Sequence, residues 1–211
     1  MIKAVIFDLD GVLVCTDELH YKGWKTLADR EGIYFDREIN NRLRGVSRME
    51  SLEIILERAS REYGEAEKQE MATYKNGVYA ALLDSLTPAD RLEGVTECLK
   101  ELRAEGYKLA IGSSSKNTPK ILERTGLRGE FDAVSDGNNI SRSKPDPEVF
   151  LKAAEFLGVE PRLCAVIEDA EAGIQAAKAA GMPAVAVGDA RKSPIADIRL
   201  ESLAELTGKL E

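Results

Sequence analysis

The sequence predicts a doubly wound α/β core, a parallel sheet with helices on both faces, carrying a helical block inserted after its first strand. Three observations lead there. Residues 2–7 are a short apolar run broken only by Lys3, as suits a strand buried on both faces. From about residue 92 onward, helical patterns alternate with short apolar strands, the signature of parallel βαβ units. Between these regions, residues 16–86 are helical in pattern and offer no good strand. The first strand cannot bury itself alone, so it joins the later sheet. This division puts residues 1–15 and 90–211 in the core and residues 16–89 in a helical cap.

Within the cap, Leu19, Trp24, Leu27 and Ala28 recur at helical spacing, and Gly32 is placed to end that helix. Ser47-Arg48-Met49-Glu50 is a capping-box pattern, and Met49, Leu52, Leu56 and Ala59 follow on one face. A third helix is expected to carry Met71, Tyr74, Val78 and Leu82 on its apolar stripe. Short polar loops between such helices suggest a small bundle.

In the core, residues 97–103 read as a helix stopped by Gly106, and residues 107–112 as a strand. Residues 117–125 read as a helix with Gly126 beyond it. Asp146-Pro147 supplies an N-cap and first-turn proline for a helix ending near Gly158. Residues 164–167 read as a strand, 170–180 as a helix closed by Gly181, and 184–187 as a further strand.

Composition narrows the function. The 211 residues hold 29 basic and 37 acidic side chains, a net charge of −8. A phosphate backbone would be repelled by the average surface, so nucleic acid is excluded as a non-specific partner. Any phosphate must be held by a small, deliberate cluster of cations. No apolar stretch approaches the roughly 20 residues of a spanning helix, and the N-terminal run is too short for a signal peptide. Cys15, Cys98 and Cys164 are odd in number and form no zinc spacing or disulfide framework. The chain is expected to be cytoplasmic and monomeric, with no membrane partner.

In an open parallel sheet, ligands sit at the carboxyl ends of the strands. Three polar clusters fall there: Asp8 with Asp10 after the first strand, Ser113 after the second, and Glu168-Asp169 after a later one. Four carboxylates converging on one point repel unless a divalent cation binds them, and oxygen-only donors suit Mg²⁺. Taken alone, Asp169 also suits a helix N-cap. Lys144, before Pro145, would offset the charge of an incoming phosphate. Ser113-Ser114-Ser115-Lys116-Asn117, leading from a strand into a helix, offers hydroxyls and backbone N–H groups as a phosphate cradle. Arg48, in the first turn of its helix, could bind a second phosphate through its guanidinium fork.

Asp8-Leu9-Asp10-Gly11, Ser113, Lys144-Pro145 and Glu168-Asp169 resemble, in order, the four motifs of the haloacid-dehalogenase superfamily. The resemblance implies a Rossmann-like core and a nucleophilic Asp8 that becomes an aspartyl-phosphate. Asp10 would be the general acid and base and would offer its backbone carbonyl to Mg²⁺, alongside Asp8, Glu168 and Asp169. Ser113 and Lys144 would hold the phosphoryl oxygens. With an ordinary carboxylate pKa of about 3.9, Asp8 is expected to be ionised at neutral pH, whereas Asp10 needs a raised pKa to deliver a proton.

The segments Arg44-Gly45-Val46-Ser47-Arg48 and Ser113 to Asn117, with Thr16, His20, Trp24 and Lys75-Asn76, are similar to the β-phosphoglucomutase family within that superfamily. That resemblance implies conversion of β-glucose 1-phosphate to glucose 6-phosphate through β-glucose 1,6-bisphosphate. It gives Arg48, Ser115 and Asn117 the distal phosphate, and sets Thr16, His20 and Lys75 at cap closure or against the sugar. Gly45, Ser114, Lys116 and Trp24 belong to the same expected substrate site. Cys15 departs from the family, where an acidic residue commonly follows the first strand. A phosphatase acting on a small sugar phosphate is the alternative within the class, and a non-catalytic phosphosugar-binding protein is the alternative outside it.

Overall fold

The computed structural model describes residues 1–44 and 46–210. Within them six strands form one parallel sheet: β1 (Ala4–Phe7), β2 (Lys108–Gly112), β3 (Ala133–Ser135), β4 (Cys164–Glu168), β5 (Ala184–Ala186) and β6 (Ile198–Arg199). Their spatial order is β3-β2-β1-β4-β5-β6, so the first strand of the chain lies in the middle. All four residues of β1 are wholly buried, which is why that strand is an unbroken apolar run.

The two faces of the sheet have separate cores. Val5 and Phe7 point into a cluster completed by Val95, Leu99 and Leu102 of α5 (Val95–Ala104) and Ile121 of α6 (Thr118–Arg124). Ala4 and Ile6 point into the other, against Val149 and Phe150 of α7 (Glu148–Leu157) and Ile174 of α8 (Glu171–Ala179). Burying a Val, Ile or Phe side chain contributes roughly 1.5–3 kcal/mol, so β1 anchors both layers. Gly112 lets α7 approach closely: a Cβ there would lie 2.6 Å from the Phe150 ring. This is the expected doubly wound core.

Four helices lie between β1 and α5 in the chain: residues Asp17–Glu31, Arg37–Asn41, Arg48–Leu56 and Glu65–Leu82, here α1 to α4. They share a hydrophobic cluster of their own, with Trp24, Leu27, Phe35, Leu52, Ile55 and Met71 at its centre. Gly32, at φ 68°, ends α1 as the sequence suggests. The capping box at α3 forms in full: Glu50 N–H donates to Ser47 Oγ (3.2 Å) and Ser47 N–H to Glu50 Oε2 (2.8 Å). The two crossings between this block and the sheet are tied side by side. Cys15 N–H donates to Asp90 O (3.0 Å) and Leu92 N–H to Leu13 O (3.0 Å).

The fold departs from the sequence reading in several details. β3, β6 and α2 were not foreseen, being three, two and five residues long and too short for a period to show. On α4 the buried residues are Met71, Ala72, Lys75 and Tyr79, not the Met71-Tyr74-Val78-Leu82 stripe. Tyr74 faces outward under the Arg30 guanidinium, 4.4 Å from its centroid. The inward face was misplaced because one of its members is a lysine. Asp169 is not a helix cap, since the N-cap of α8 is Ala170. Asp146 precedes the cap position of α7, but its Oδ1 still accepts Glu148 N–H (3.0 Å). No helix among the described residues is long and apolar enough to cross a membrane. Cys98 and Cys164 are buried and Cys15 is exposed, all three as free thiols.

Candidate active site

Parallel register decides where the polar residues emerge. Phe7 is level with Ile111 on one side and Ile167 on the other. The chain therefore delivers Asp8, Gly112-Ser113 and Glu168 to one edge, at the point where the strand order reverses. They open into a cavity of about 160 Å³. Asp8, Asp10, Ser113, Ser114, Ser115, Lys116, Asn117, Lys144, Glu168 and Asp169 line it from the core. His20, Trp24, Arg48 and Lys75 line it from the helical block. Thr16 is fully buried behind Asp10 and does not reach the cavity, and Gly45 lies outside the described residues.

At the strand ends, Asp8, Glu168 and Asp169 each bring a carboxylate oxygen within 4.8 Å of the others. Lys144, itself buried, donates to Asp8 Oδ1 (2.6 Å) and to Glu168 Oε1. One lysine does not balance three acids. Burial, followed by the charge of Glu168 among other terms, pushes Asp8 from 3.8 up to about 7 despite the opposing pull of Lys144. Burial and the charges of Glu168 and Asp8 push Asp169 up to about 8. The expectation that Asp8 is simply ionised at neutral pH is thereby corrected: without added positive charge it is only partly so. Three crowded hard-oxygen donors fit a divalent cation, and Mg²⁺ is the ion that such a donor set suits. Two glycines make room for this cluster. A Cβ on Gly11 would lie 2.2 Å from Asp169 Oδ2, and one on Gly173 would lie 1.9 Å from Glu168 Cδ.

Asp10 turns the other way. Thr16 Oγ1 donates to its Oδ1, Tyr79 OH lies 3.5 Å from the same oxygen, and His20 Nε2 is 3.8 Å away. Burial alone would raise Asp10, but His20, the Thr16 hydroxyl and the Lys144 charge outweigh it and hold the carboxyl below 3.8. The expected raised pKa is therefore absent in this state, and Asp10 rests as a carboxylate. Thr16 is the N-cap of α1, yet its side chain makes no cap bond. Its hydroxyl serves Asp10 instead, at the cost of an ordinary helix cap.

Lys75 is the most unusual cation. It is 4% exposed and forms no ion pair among the described residues. Its Nζ sits 4.5 Å from the Trp24 ring centroid and 4.6 Å from that of Tyr79, and 3.4 Å from His20 Nδ1. Burial and the nearby Arg48 charge bring it from 10.5 down to about 7. Gly23 leaves room for it, since a Cβ there would lie 3.2 Å from Lys75 Cε. Burial, together with the Lys75 charge, also lowers His20, so the imidazole is largely neutral at pH 7. Arg48 projects from the first turn of α3 into the same cavity with no ion pair or hydrogen bond among the described residues. Opposite it, Ser113 Oγ accepts Ser115 N–H (3.1 Å) and Ser115 Oγ accepts Asn117 N–H (3.1 Å), which leaves both hydroxyl protons free to donate. Asn117 Nδ2 donates to Asn76 Oδ1 (3.0 Å), joining the serine loop to α4.

Tyr79, Asn76 and Arg44 line the cavity without having been singled out as site residues. For Tyr79 a signal exists: it lies four residues after Lys75, on the same helix face. The model of the family described as haloacid dehalogenase-like hydrolase matches residues 2–181. A β-phosphoglucomutase of Bacillus subtilis (strain 168) is 48% identical over 210 residues, covering 99% of this chain and 93% of the relative. A phosphorylated carbohydrates phosphatase of Thermotoga maritima is 33% identical, covering 85% of this chain and 82% of the relative. Among solved structures, a β-phosphoglucomutase of Clostridium difficile superposes with a TM-score of 0.92 at 39% identity, covering 99% of this chain and 95% of that one. With its strand-end carboxylates, its central β1 and this full-length similarity, the chain belongs to the haloacid dehalogenase-like hydrolase family.

Proposed function

We infer that the chain is a β-phosphoglucomutase, interconverting β-D-glucose 1-phosphate and D-glucose 6-phosphate through β-glucose 1,6-bisphosphate. One observation carries this reading beyond a phosphatase. The cavity that holds Asp8 also holds an unpaired, half-buried arginine, Arg48, on the helical block. A hydrolase needs one phosphate site, whereas a mutase needs two, and a free guanidinium in a partly dry wall is an anion site in waiting. The high similarity to β-phosphoglucomutases favours the same choice.

In this reading residues 16–89 act as a cap over a core of residues 1–15 and 90–211. Asp8 attacks the phosphorus of a bound phosphate ester; the bond from phosphorus to the sugar oxygen breaks, and Asp10 donates the proton that oxygen needs. That proton is the one Asp10 has already taken from the sugar hydroxyl that attacks phosphorylated Asp8 in the other half-reaction, the role its resting carboxylate suits, so each cycle takes up and returns one proton. Thr16, Tyr79 and His20 hold Asp10 in place. Lys144 and the Ser113 hydroxyl bind the transferring oxygens, with Ser114 beside them. Arg48, Ser115, Lys116 and Asn117 clamp the distal phosphate, while Lys75, His20 and Trp24 face the sugar. The carboxylates of Asp8, Glu168 and Asp169 and the Asp10 carbonyl would hold Mg²⁺, which would supply the positive charge that Lys144 alone cannot. The partner is a phosphosugar, and the enzyme works as a cytoplasmic monomer.

Asp8→Asn tests the covalent step. Turnover is expected to fall by at least about 10⁴-fold, while phosphosugar binding measured by calorimetry persists. Turnover that survives the change would remove the aspartyl-phosphate from the mechanism.

A further inference from the structure

Arg44 belongs to neither end of the site as described so far. Its Nη2 donates to Asp17 Oδ2, in the first turn of α1, and its Nη1 to Asp189 Oδ2 (3.1 Å). Asp189 lies 145 positions away in the chain, in the turn Gly188–Lys192 that follows β5. That turn is bonded to the acid cluster, since Ala190 N–H donates to Asp169 O (2.9 Å). A single guanidinium thus joins the helical block to the turn whose Ala190 N–H holds the Asp169 carbonyl, across the wall of the cavity that it lines. Its third donor, Nε, is buried and has no hydrogen-bond partner. A buried N–H without an acceptor costs about 1–3 kcal/mol, a cost that an incoming oxygen acceptor would remove.

We propose that Arg44 is a positioning residue for the transfer reaction: an ionic clasp, Asp17–Arg44–Asp189, that holds the helical block closed over the core while Asp8 is phosphorylated. This rests on the mutase reading, because only a mutase must keep water from Asp8 while its intermediate turns round. The clasp is built to be reversible. Asp189 is 59% exposed and Arg44 31%, so the pair is screened by salt and worth little by itself. Lys192 Nζ also lies 2.9 Å from Asp189 Oδ1, which leaves the acid a partner when Arg44 swings away. A tighter bond would slow the reopening that each catalytic cycle needs.

The test is the number of free phosphates released per glucose 6-phosphate formed, with small-angle scattering of the unliganded protein beside it. Arg44→Ala, which loses both links, is expected to raise that ratio about twofold to fivefold, and Asp189→Asn, which loses one, by a smaller factor of about 1.5 to 3. The double variant should match Arg44→Ala, since both changes break the same link. Arg44→Lys keeps one charge and should fall between wild type and Arg44→Ala. The radius of gyration should increase in Arg44→Ala, and in wild type at high salt. Asp189 is a surface residue, so its variant keeps the test open even where Arg44→Ala folds poorly. A ratio and a radius unchanged in both variants would overturn the clasp, as would an effect of Arg44→Ala with Asp189→Asn silent. A wild type that yields only free phosphate would sink the mutase reading instead, and the scattering arm would still decide the clasp.

Discussion

At the strand ends, Asp8, Glu168 and Asp169 crowd three carboxylates around one lysine; across the cavity, Arg48 and Lys75 place two cations with no acid paired to them. The acid end is built on the sheet, where parallel register fixes every emerging residue and Gly11 and Gly173 leave it no slack. The cationic end is built on α3 and α4, which lie outside the sheet and meet the core through packing, two chain crossings and side-chain bonds such as Asn117 to Asn76. Each end carries unbalanced charge of one sign: a divalent cation would offset the acids, and a substrate phosphate the two cations. Rigid chemistry on one side and movable recognition on the other is what a cycle of closure, transfer and reorientation demands.

Arg48→Ala strikes the movable end and should have the largest effect there. Loss of a bidentate phosphate contact is expected to lower kcat/KM roughly 10- to 100-fold. Phosphoryl transfer from a small donor such as acetyl phosphate to Asp8 should be little changed, because that donor has no distal phosphate. If both fall equally, the two ends are not separable and the comparison fails.

The two ends should also titrate with opposite sign. Asp8 and Asp169 have raised pKa values of about 7 and 8, so the folded state holds their protons more tightly than the unfolded chain does. Stability of the metal-free protein is then present in acid and lost as pH rises from about 4 to about 8. Lys75, lowered to about 7, does the reverse and adds stability as pH rises from about 7 to 10.5. Thermal melts in chelator should show Tm falling between pH 5 and 8, and the gain in Tm on adding Mg²⁺ should grow over the same window. An Mg²⁺ effect independent of pH would contradict the assignment of these acids as ligands.

Tyr79→Phe is the mildest probe. It removes the hydroxyl 3.5 Å from Asp10 but keeps the ring that stacks on His20 at 4.1 Å and lies under Lys75. A two- to fivefold fall in kcat with unchanged KM is expected, matching a weak hydrogen bond that positions the acid–base group. A rise in KM without loss of kcat would move Tyr79 from Asp10 to the sugar.

The same contrast explains what was legible in the sequence. Which residues gather at the acid end could be read almost completely, because Asp8, Ser113, Glu168 and Asp169 each come at the end of a hydrophobic strand of a parallel sheet and Lys144 stands before a proline. Their ionisation could not be read: the raised Asp8 and lowered Asp10 depend on which neighbours each carboxylate faces, and those come from segments far apart in the chain. On the cap side Arg48 was visible through its capping box, but Tyr79 was not. The α4 stripe was placed one position off because a buried lysine broke the apolar pattern. Arg44 stood within the segment that carries the family resemblance, but its link to Asp189 was illegible for the same reason as the pKa values, since Asp189 meets it only after the whole core has folded.

The most direct measurement is an Mg²⁺ assay on β-glucose 1-phosphate, primed with trace β-glucose 1,6-bisphosphate, following glucose 6-phosphate and free phosphate together. Glucose 6-phosphate formed in large excess over free phosphate is the predicted result, with both phosphate sites engaged in each turnover. Free phosphate as the main product would contradict it, leaving the acid end intact and the assignment of Arg48 as a second phosphate site wrong.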